Sequence, residues 1–449
     1  MTHARKLALV TLAGLALRVA FLLLEPPTQP VADERPWTSW GLETAGPKVR
    51  FSPLRSDLGF FPPGYPYFVG AVHAAFGSLE AVKVAQVLVS SLLIPAVGRI
   101  ATLAFSPAAG LAAAGIAAFY PDLVWYSAHF WSETLFLTLL FWAFDRVLAA
   151  DAGRRTGVAI AAGLLWGLAT LTRETALYLA PLVALWLVWG RRDAGGVRRG
   201  AVFLLAALAT VAPWTLRNWV KYEAFIPVST AGGLNLWQGN APLTRNEVYE
   251  RYYAVEGVVA QFRNAQAQGL AAIAERQPLW LFEKLASELP RFWEADSLAL
   301  IHIKRGAYRP VSPRGARRAW LLVIVPYLVL LALFVPGLAS LEWSRERALL
   351  VGYLAIYTLL HVATHGFARY RLPVMPVVFM VAASFWLAWR EGRAPLRSPR
   401  CRFAAIALAG LTLLILVPSF RMNYEHPAFG FVRETPGVTA PGTEEGQRD

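Results

Sequence analysis

The sequence predicts an all-α, polytopic integral membrane protein: about eleven transmembrane helices with two long extracytoplasmic loops. Three observations carry this reading. Of the 449 residues, 56% are hydrophobic and 16% charged, against about 45–50% and about 25% in soluble domains. The apolar residues gather in runs long enough to span a bilayer as helices, at roughly 20 residues each. The basic residues, which give a net charge of +14, stand between those runs rather than in one patch. This pattern excludes a disordered chain and a nucleic-acid-binding domain. Cys401, the single cysteine, excludes an intrachain disulfide and a cysteine-based metal site.

The first run, 7–24, follows Arg5 and Lys6 and contains Arg18. It ends in FLLLEPP without a small-residue cleavage site, so it reads as an uncleaved first span. Further spans are expected near 79–105, 107–126, 130–150, 157–172, 175–190, 200–216, 319–339, 348–366, 371–390 and 403–419. Each is too long and too evenly apolar for a barrel strand. Positive residues favour the cytoplasmic side. With the N-terminus cytoplasmic, the inner loops hold Arg154 and Arg155, then Arg191, Arg192, Arg198 and Arg199. They also hold Arg345 and Arg347, and Arg390, Arg393, Arg397, Arg400 and Arg402. Arg173, Arg369 and Arg371 fall in short outer turns and need another explanation.

Four regions follow from this map. Residues 1–216 form an N-terminal transmembrane module with the Pro- and aromatic-rich outer loop 25–78. Residues 217–318 form a large outer loop with the Gly-rich stretch STAGGLNLWQGN and two amphipathic helices, about 246–276 and 279–293. Leu281, Phe282, Leu285, Leu289 and Phe292 recur there at helical spacing. Residues 319–420 supply the C-terminal spans, and 421–449 a polar tail, expected to be disordered from 434. No internal repeat and no GxxxxGKS phosphate loop is present.

On this topology the ionisable residues converge on the outer face. Asp33 and Glu34 follow the first span. His129 and Glu133 are four apart at the outer end of the fourth. Arg173 and Glu174 occupy one tight turn, and Arg217 and Asn218 follow the seventh span. His361, His365, Arg369 and Arg371 cluster between the ninth and tenth. Each group also has a plain structural reading: solvated loop acids, hydrogen-bonded bundle residues, a local ion pair, arginines reaching lipid headgroups. His361 and His365 lack the intervening Glu of an HExxH zinc site. Charges near hydrocarbon are costly and tend to mark functional paths. Carboxylates can serve as general base and arginines can hold phosphate, beside spans that suit a lipid tail. Together these features suggest chemistry on a lipid phosphate at the outer face.

Over about 7–390 the chain resembles the GT-C polyprenyl-phosphate-dependent glycosyltransferases. Its likeness is to the bacterial relatives of the protein O-mannosyltransferases and of aminoarabinose transferase, glycosyltransferase family 39-like. The segments that carry it are ADE at Asp33 and Glu34, FFPPGYPYFVGAVHAAFG, WSETLFLTLLF with Glu133, GLATLTRETALYLAP with Arg173, and RYRLPVMP at 369–376. The most specific is APWTLRNWVKYEAFIPVSTAGGLNLWQGNAP. Aminoarabinose transferases carry Glu-Lys before the Pro-Pro, where this chain has Phe60 and Phe61.

The resemblance implies an inverting transfer from a polyprenyl-phosphate sugar to an envelope lipid, glycan or protein. It makes Asp33 the catalytic base, with Glu34 in support. Arg173, Arg217, Arg369, Arg371 and Lys83 are candidates for the donor phosphate, and His129, Glu133 and Glu174 are further site candidates. No cofactor is required and no metal site is assigned, although Asp33, Glu34 or Glu133 could bind a divalent ion. The bilayer, the lipid-linked donor and the acceptor are the expected partners, nucleic acid is not, and the expected location is the plasma membrane. The rival classes are a transporter or lipid-linked-sugar flippase, which would route the same charges through both faces, and a non-catalytic scaffold.

Overall fold

The computed structural model describes residues 1–25, 29–45, 59–189, 194–393 and 398–424. Arg191, Arg192, Arg397 and the polar tail from 425 lie outside the described residues.

The chain begins with helix α1, His3–Leu24, capped by Thr2. Helices α2 (Glu34–Ala45) and α3 (Gly64–Phe76) follow, then α4 (Leu79–Ala104), α5 (Pro107–Phe119), α6 (Pro121–Ser127) and α7 (Glu133–Ala152). Next come α8 (Thr156–Thr172), α9 (Thr175–Trp189) and α10 (Ala194–Tyr222). Five shorter helices make up the long connection: α11 (Ala231–Asn240), α12 (Arg245–Tyr253), α13 (Val258–Glu275), α14 (Trp280–Trp293) and α15 (Leu298–Lys304). The chain closes with α16 (Pro313–Ala339), α17 (Arg345–Thr364), a 3-10 helix (Ala368–Val374), α18 (Met375–Arg390) and α19 (Pro399–Tyr424).

Each of the eleven apolar runs contains a helix, but the span count is lower by length and apolarity. Among the described residues six helices qualify: α1, α4, α10, α16, α17 and the joined segment Ala368–Arg390. The α5–α6 pair, bent by 54°, makes a seventh if it is one span. Helices α8, α9 and the 401–417 part of α19 are apolar but shorter. Helix α7 carries Glu133, Asp145, Arg146 and Asp151, too many charges for a lipid-facing span, and its inner turns are buried among other helices.

Arg18 interrupts the first span for a definable reason. Pro121 has no N–H to donate to the Ala117 carbonyl, and the bend at Tyr120 frees the Ala118 carbonyl as well. The Arg18 guanidinium, fully buried, donates to Ala117 O at 3.1 Å and Ala118 O at 2.8 Å. Its Nε reaches Ser90 Oγ at 2.9 Å. A charge inside an apolar helix thereby supplies the hydrogen bonds that a proline removes.

Two sequence expectations about the long connection change. The helix expected over 246–276 is two helices, α12 and α13. The break falls at 254–257, where Gly257, the cap residue before α13, takes φ +88, a value that a continuous helix cannot contain. The Gly-rich stretch folds as helix α11 rather than as a loop. Its Gly239 packs on the end of α17, where a Cβ would lie 1.4 Å from Thr364 O. Lys284 of α14 donates to both Gly239 O (2.7 Å) and Thr364 O (3.2 Å), so α11, α14 and α17 meet at one point. Gly239→Ala is therefore expected to force these helices apart at a cost of about 1–3 kcal/mol. A lowered thermal midpoint in detergent checks this, and an unchanged midpoint contradicts it.

The two ends of the bundle differ. At one, Asp145 lies between Arg99 (2.8 Å) and Arg146, and Asp151 binds Arg345 at 2.8 Å. His3 approaches Thr102 at 3.2 Å there, so the N-terminus is at this end. The other end carries α2, α3, α11 to α15 and the 3-10 helix.

Candidate active site

The turn that presents Asp33 is strained. Ala32 has φ +47, a region that alanine rarely adopts. Glu34 holds the turn closed. Its Oε2 accepts from Val31 N at 2.9 Å and its Oε1 from Phe130 N at 2.8 Å, which ties the turn to the 128–132 connection. Glu34 is 1% exposed. Asp33 beside it projects outward, with a side chain 48% exposed.

Asp33 ends a chain of ion pairs drawn from distant parts of the sequence. Its Oδ2 lies 2.7 Å from Arg369 Nη1. Arg369 Nε lies 2.5 Å from Glu133 Oε1, which is also 2.8 Å from Arg173 Nη1. Arg369 further stacks at 4.3 Å on the ring of Trp131. Glu133 is buried at the N-terminus of α7, where the free N–H groups favour a carboxylate. Two cations and two anions balance, and the only broadly exposed member of the four is the carboxylate of Asp33.

Arg369 is positioned from both sides. Glu288 Oε2 accepts from Gly366 N at 2.8 Å, fixing the approach to the 3-10 helix. Tyr353 OH donates to Pro373 O at 2.8 Å, fixing its exit.

The other expected site residues do not join this chain. Arg371 donates to three backbone carbonyls, Phe292 O (3.3 Å), Glu294 O (2.6 Å) and Asp296 O (2.9 Å). It also stacks at 3.9 Å on Tyr327, so it anchors the segment after α14. Arg217 bonds Asn218 Oδ1 at 2.9 Å and lies over Trp214. Lys83 pairs with Glu80 at 3.0 Å and faces the Phe130 ring. Glu174 accepts from Ser229 Oγ at 2.6 Å rather than pairing with Arg173. His129 donates from Nδ1 to Trp125 O at 2.8 Å and stacks on that indole at 4.2 Å.

Several residues near Asp33 had no signal in the sequence reading. Arg245, exposed at the start of α12, lies within electrostatic reach of Asp33 and Tyr370. His302 of α15 packs among Trp125, Trp131 and Tyr308 at 5.2–5.9 Å. Both nitrogens of His302, and His129 Nε2, are buried without a hydrogen-bond partner among the described residues. Asp122, hidden in an apolar run, lines a small cavity of about 10 Å³ with Tyr120, Tyr126, Ser297, Arg369 and Arg371. Its Oδ1 is also unpartnered among the described residues; the Pro-Asp step inside the run was its one visible mark. Among the described residues no three His, Cys, Asp or Glu converge as metal ligands.

Burial lifts the Glu34 carboxyl to about 7, against the backbone hydrogen bonds from Val31 and Phe130 that oppose the shift. The folded state then holds the proton more tightly than the unfolded one. This contribution is complete below the unfolded carboxyl value, about 4.3, and disappears as pH rises through about 7. Stability should fall between about pH 5 and about pH 7.5, and Glu34→Gln should flatten that slope. Thermal midpoints across this range provide the check, and equal slopes in both proteins would refute it.

Residues 61–216 match the family model described as dolichyl-phosphate-mannose-protein mannosyltransferase. No curated protein matches the chain. Among solved structures, the oligosaccharyltransferase AglB of Archaeoglobus fulgidus, in complex with an inhibitory peptide and a dolichol-phosphate, is 14% identical with a TM-score of 0.55. The match covers 94% of this chain and 55% of that one. The apo crystal structure of the Archaeoglobus fulgidus oligosaccharyltransferase gives 14% and 0.51 over the same shares. The chain thus spans about half the length of these structures, and at this identity the likeness is one of fold. Over residues 61–216, about a third of its length, the chain is similar to the family described as dolichyl-phosphate-mannose-protein mannosyltransferase.

Proposed function

We propose that the chain is a membrane glycosyltransferase that moves a sugar from a polyprenyl-phosphate donor to an envelope lipid, glycan or protein. The observation that carries this reading is Asp33, a half-exposed carboxylate set at 2.7 Å from Arg369 at the mouth of a buried ion-pair chain. The family match over 61–216 supports the reaction class. The dolichol-phosphate bound to the archaeal relative supports a lipid-phosphate donor.

In the proposed step an acceptor hydroxyl attacks the anomeric carbon from the face opposite the phosphate. The new C–O bond forms as the bond to the phosphate oxygen breaks, and the configuration inverts. The acceptor proton passes to Asp33, and the polyprenyl phosphate leaves as an anion. Arg369 orients Asp33 through their 2.7 Å contact. Arg245, exposed near Asp33, supplements Arg173 and Arg369 as a cation for the leaving phosphate, since Glu133 already engages those two. The unpartnered nitrogens of His302 suit sugar hydroxyls, and the ring of Tyr308 beside it suits the apolar face of a sugar.

The N-terminal end, rich in Arg99, Arg146, Arg199, Arg345 and Arg347, is read as cytoplasmic, and the Asp33 end as extracytoplasmic. The purified protein in vesicles, given a synthetic polyprenyl-phosphate sugar and membrane extract, should label an envelope component and release polyprenyl phosphate. Lipid-linked sugar that crosses the bilayer without transfer would favour the flippase reading instead.

A further inference from the structure

Residues 304–318 read KRGAYRPVSPRGARR, with six basic residues, and no Asp or Glu occurs from Ser297 to Leu341. Lys304 belongs to the local fold, at 2.7 Å from Asp296. Arg305, Arg309, Arg314, Arg317 and Arg318 are exposed. Ser312 caps α16 through Gly315 N and Pro313 opens it, so Arg314, Arg317 and Arg318 share one face of the first two turns at i, i+3, i+4 spacing. From residue 319 onward α16 is apolar and long enough to span a membrane. The arginine face therefore sits at the edge of the hydrocarbon, at the level of headgroup phosphates.

The same run is fixed at the site end of the bundle. Tyr308 packs on His129 at 4.5 Å and His302 on Trp125 at 5.9 Å, far in the fold from the Asp145 and Asp151 pairs. If the site is extracytoplasmic, as proposed above, these arginines stand where the positive-inside rule disfavours them. They are then not a topology signal and call for a different ligand.

We propose that residues 304–318 form a docking surface for anionic phospholipid headgroups in the leaflet at the site end. Guanidinium groups match phosphate oxygens in a bidentate manner that a diffuse positive charge does not. Several basic residues at a membrane surface act together, and their attraction fades beyond a Debye length of about 8 Å. Lipid bound here would also hold the segment that lays His302 and Tyr308 over the site.

The test uses the full chain in nanodiscs of phosphatidylcholine containing phosphatidylglycerol, with the association of spin-labelled forms of each lipid as readout. The wild-type protein should prefer phosphatidylglycerol about fivefold or more, and less as salt rises. In R305Q/R309Q/R314Q/R318Q the preference should fall close to one; if that variant does not fold, R314Q/R318Q should lose about half of it. An undiminished preference in a folded variant overturns the proposal. So does a variant that loses polyprenyl-phosphate binding but keeps its phosphatidylglycerol preference, since the surface would then serve the donor. No sugar transfer enters the readout, so a failure here is separate from a failure of the glycosyltransferase reading.

Discussion

Asp33→Asn is expected to lower the rate of sugar transfer about 10²–10⁴-fold, the usual cost of losing a general base, with donor binding largely retained. The geometry makes this a clean substitution. The amide oxygen of the substituted side chain can still accept from Arg369 Nη1, which lies 2.7 Å from Asp33 Oδ2 in the native protein. The half-exposed side chain has little packing to lose. What disappears is the negative charge that would receive the acceptor proton. Thermal stability should change little, which separates the variant from one that misfolds. Glu34→Gln should reduce the rate less, because both Glu34 oxygens are spent on backbone N–H groups and reach no acceptor. Single-turnover transfer with saturating donor makes the measurement, and an Asp33→Asn protein at near wild-type rate would remove Asp33 from the base role.

Hydropathy made the bundle legible, because long apolar runs admit one regular structure in lipid. It placed Asp33, Glu133, Arg173 and Arg369 at one end correctly enough that the structure brings all four into contact. Their pairing was not legible, since Asp33 and Arg369 are separated by 336 residues and no local pattern joins them. Nor could sequence separate Arg369 from Arg371, two positions apart. One meets carboxylates and the other meets backbone carbonyls, and carbonyls leave no residue-type signature. Arg18 looked like a flaw in a span because its partners are carbonyls freed by a proline a hundred residues away. Helix α11 was missed because its glycines lower helix propensity, while the close approach of Gly239 to Thr364 makes a glycine necessary there.

Glu133→Ala is expected to cost about 3–5 kcal/mol of stability, the range for stripping one partner from a buried ion pair. Glu133 Oε1 serves Arg369 at 2.5 Å and Arg173 at 2.8 Å, and its side chain is 1% exposed. Its removal takes from Arg173 the carboxylate that it binds, and leaves Arg369 with the half-exposed Asp33. Glu133→Gln keeps the shape and an acceptor oxygen but not the charge, so it should be milder than Ala yet still destabilising. Adding Arg173→Met to Glu133→Ala removes an unpaired cation together with its partner. The double variant should therefore recover part of the loss, a coupling that residues in direct contact show and distant ones do not. Equilibrium unfolding in mixed micelles measures all three. If Glu133→Ala unfolds at the wild-type midpoint, or if the two substitutions add without coupling, Glu133 does not hold the arginines, and the site owes its geometry to the 3-10 helix alone.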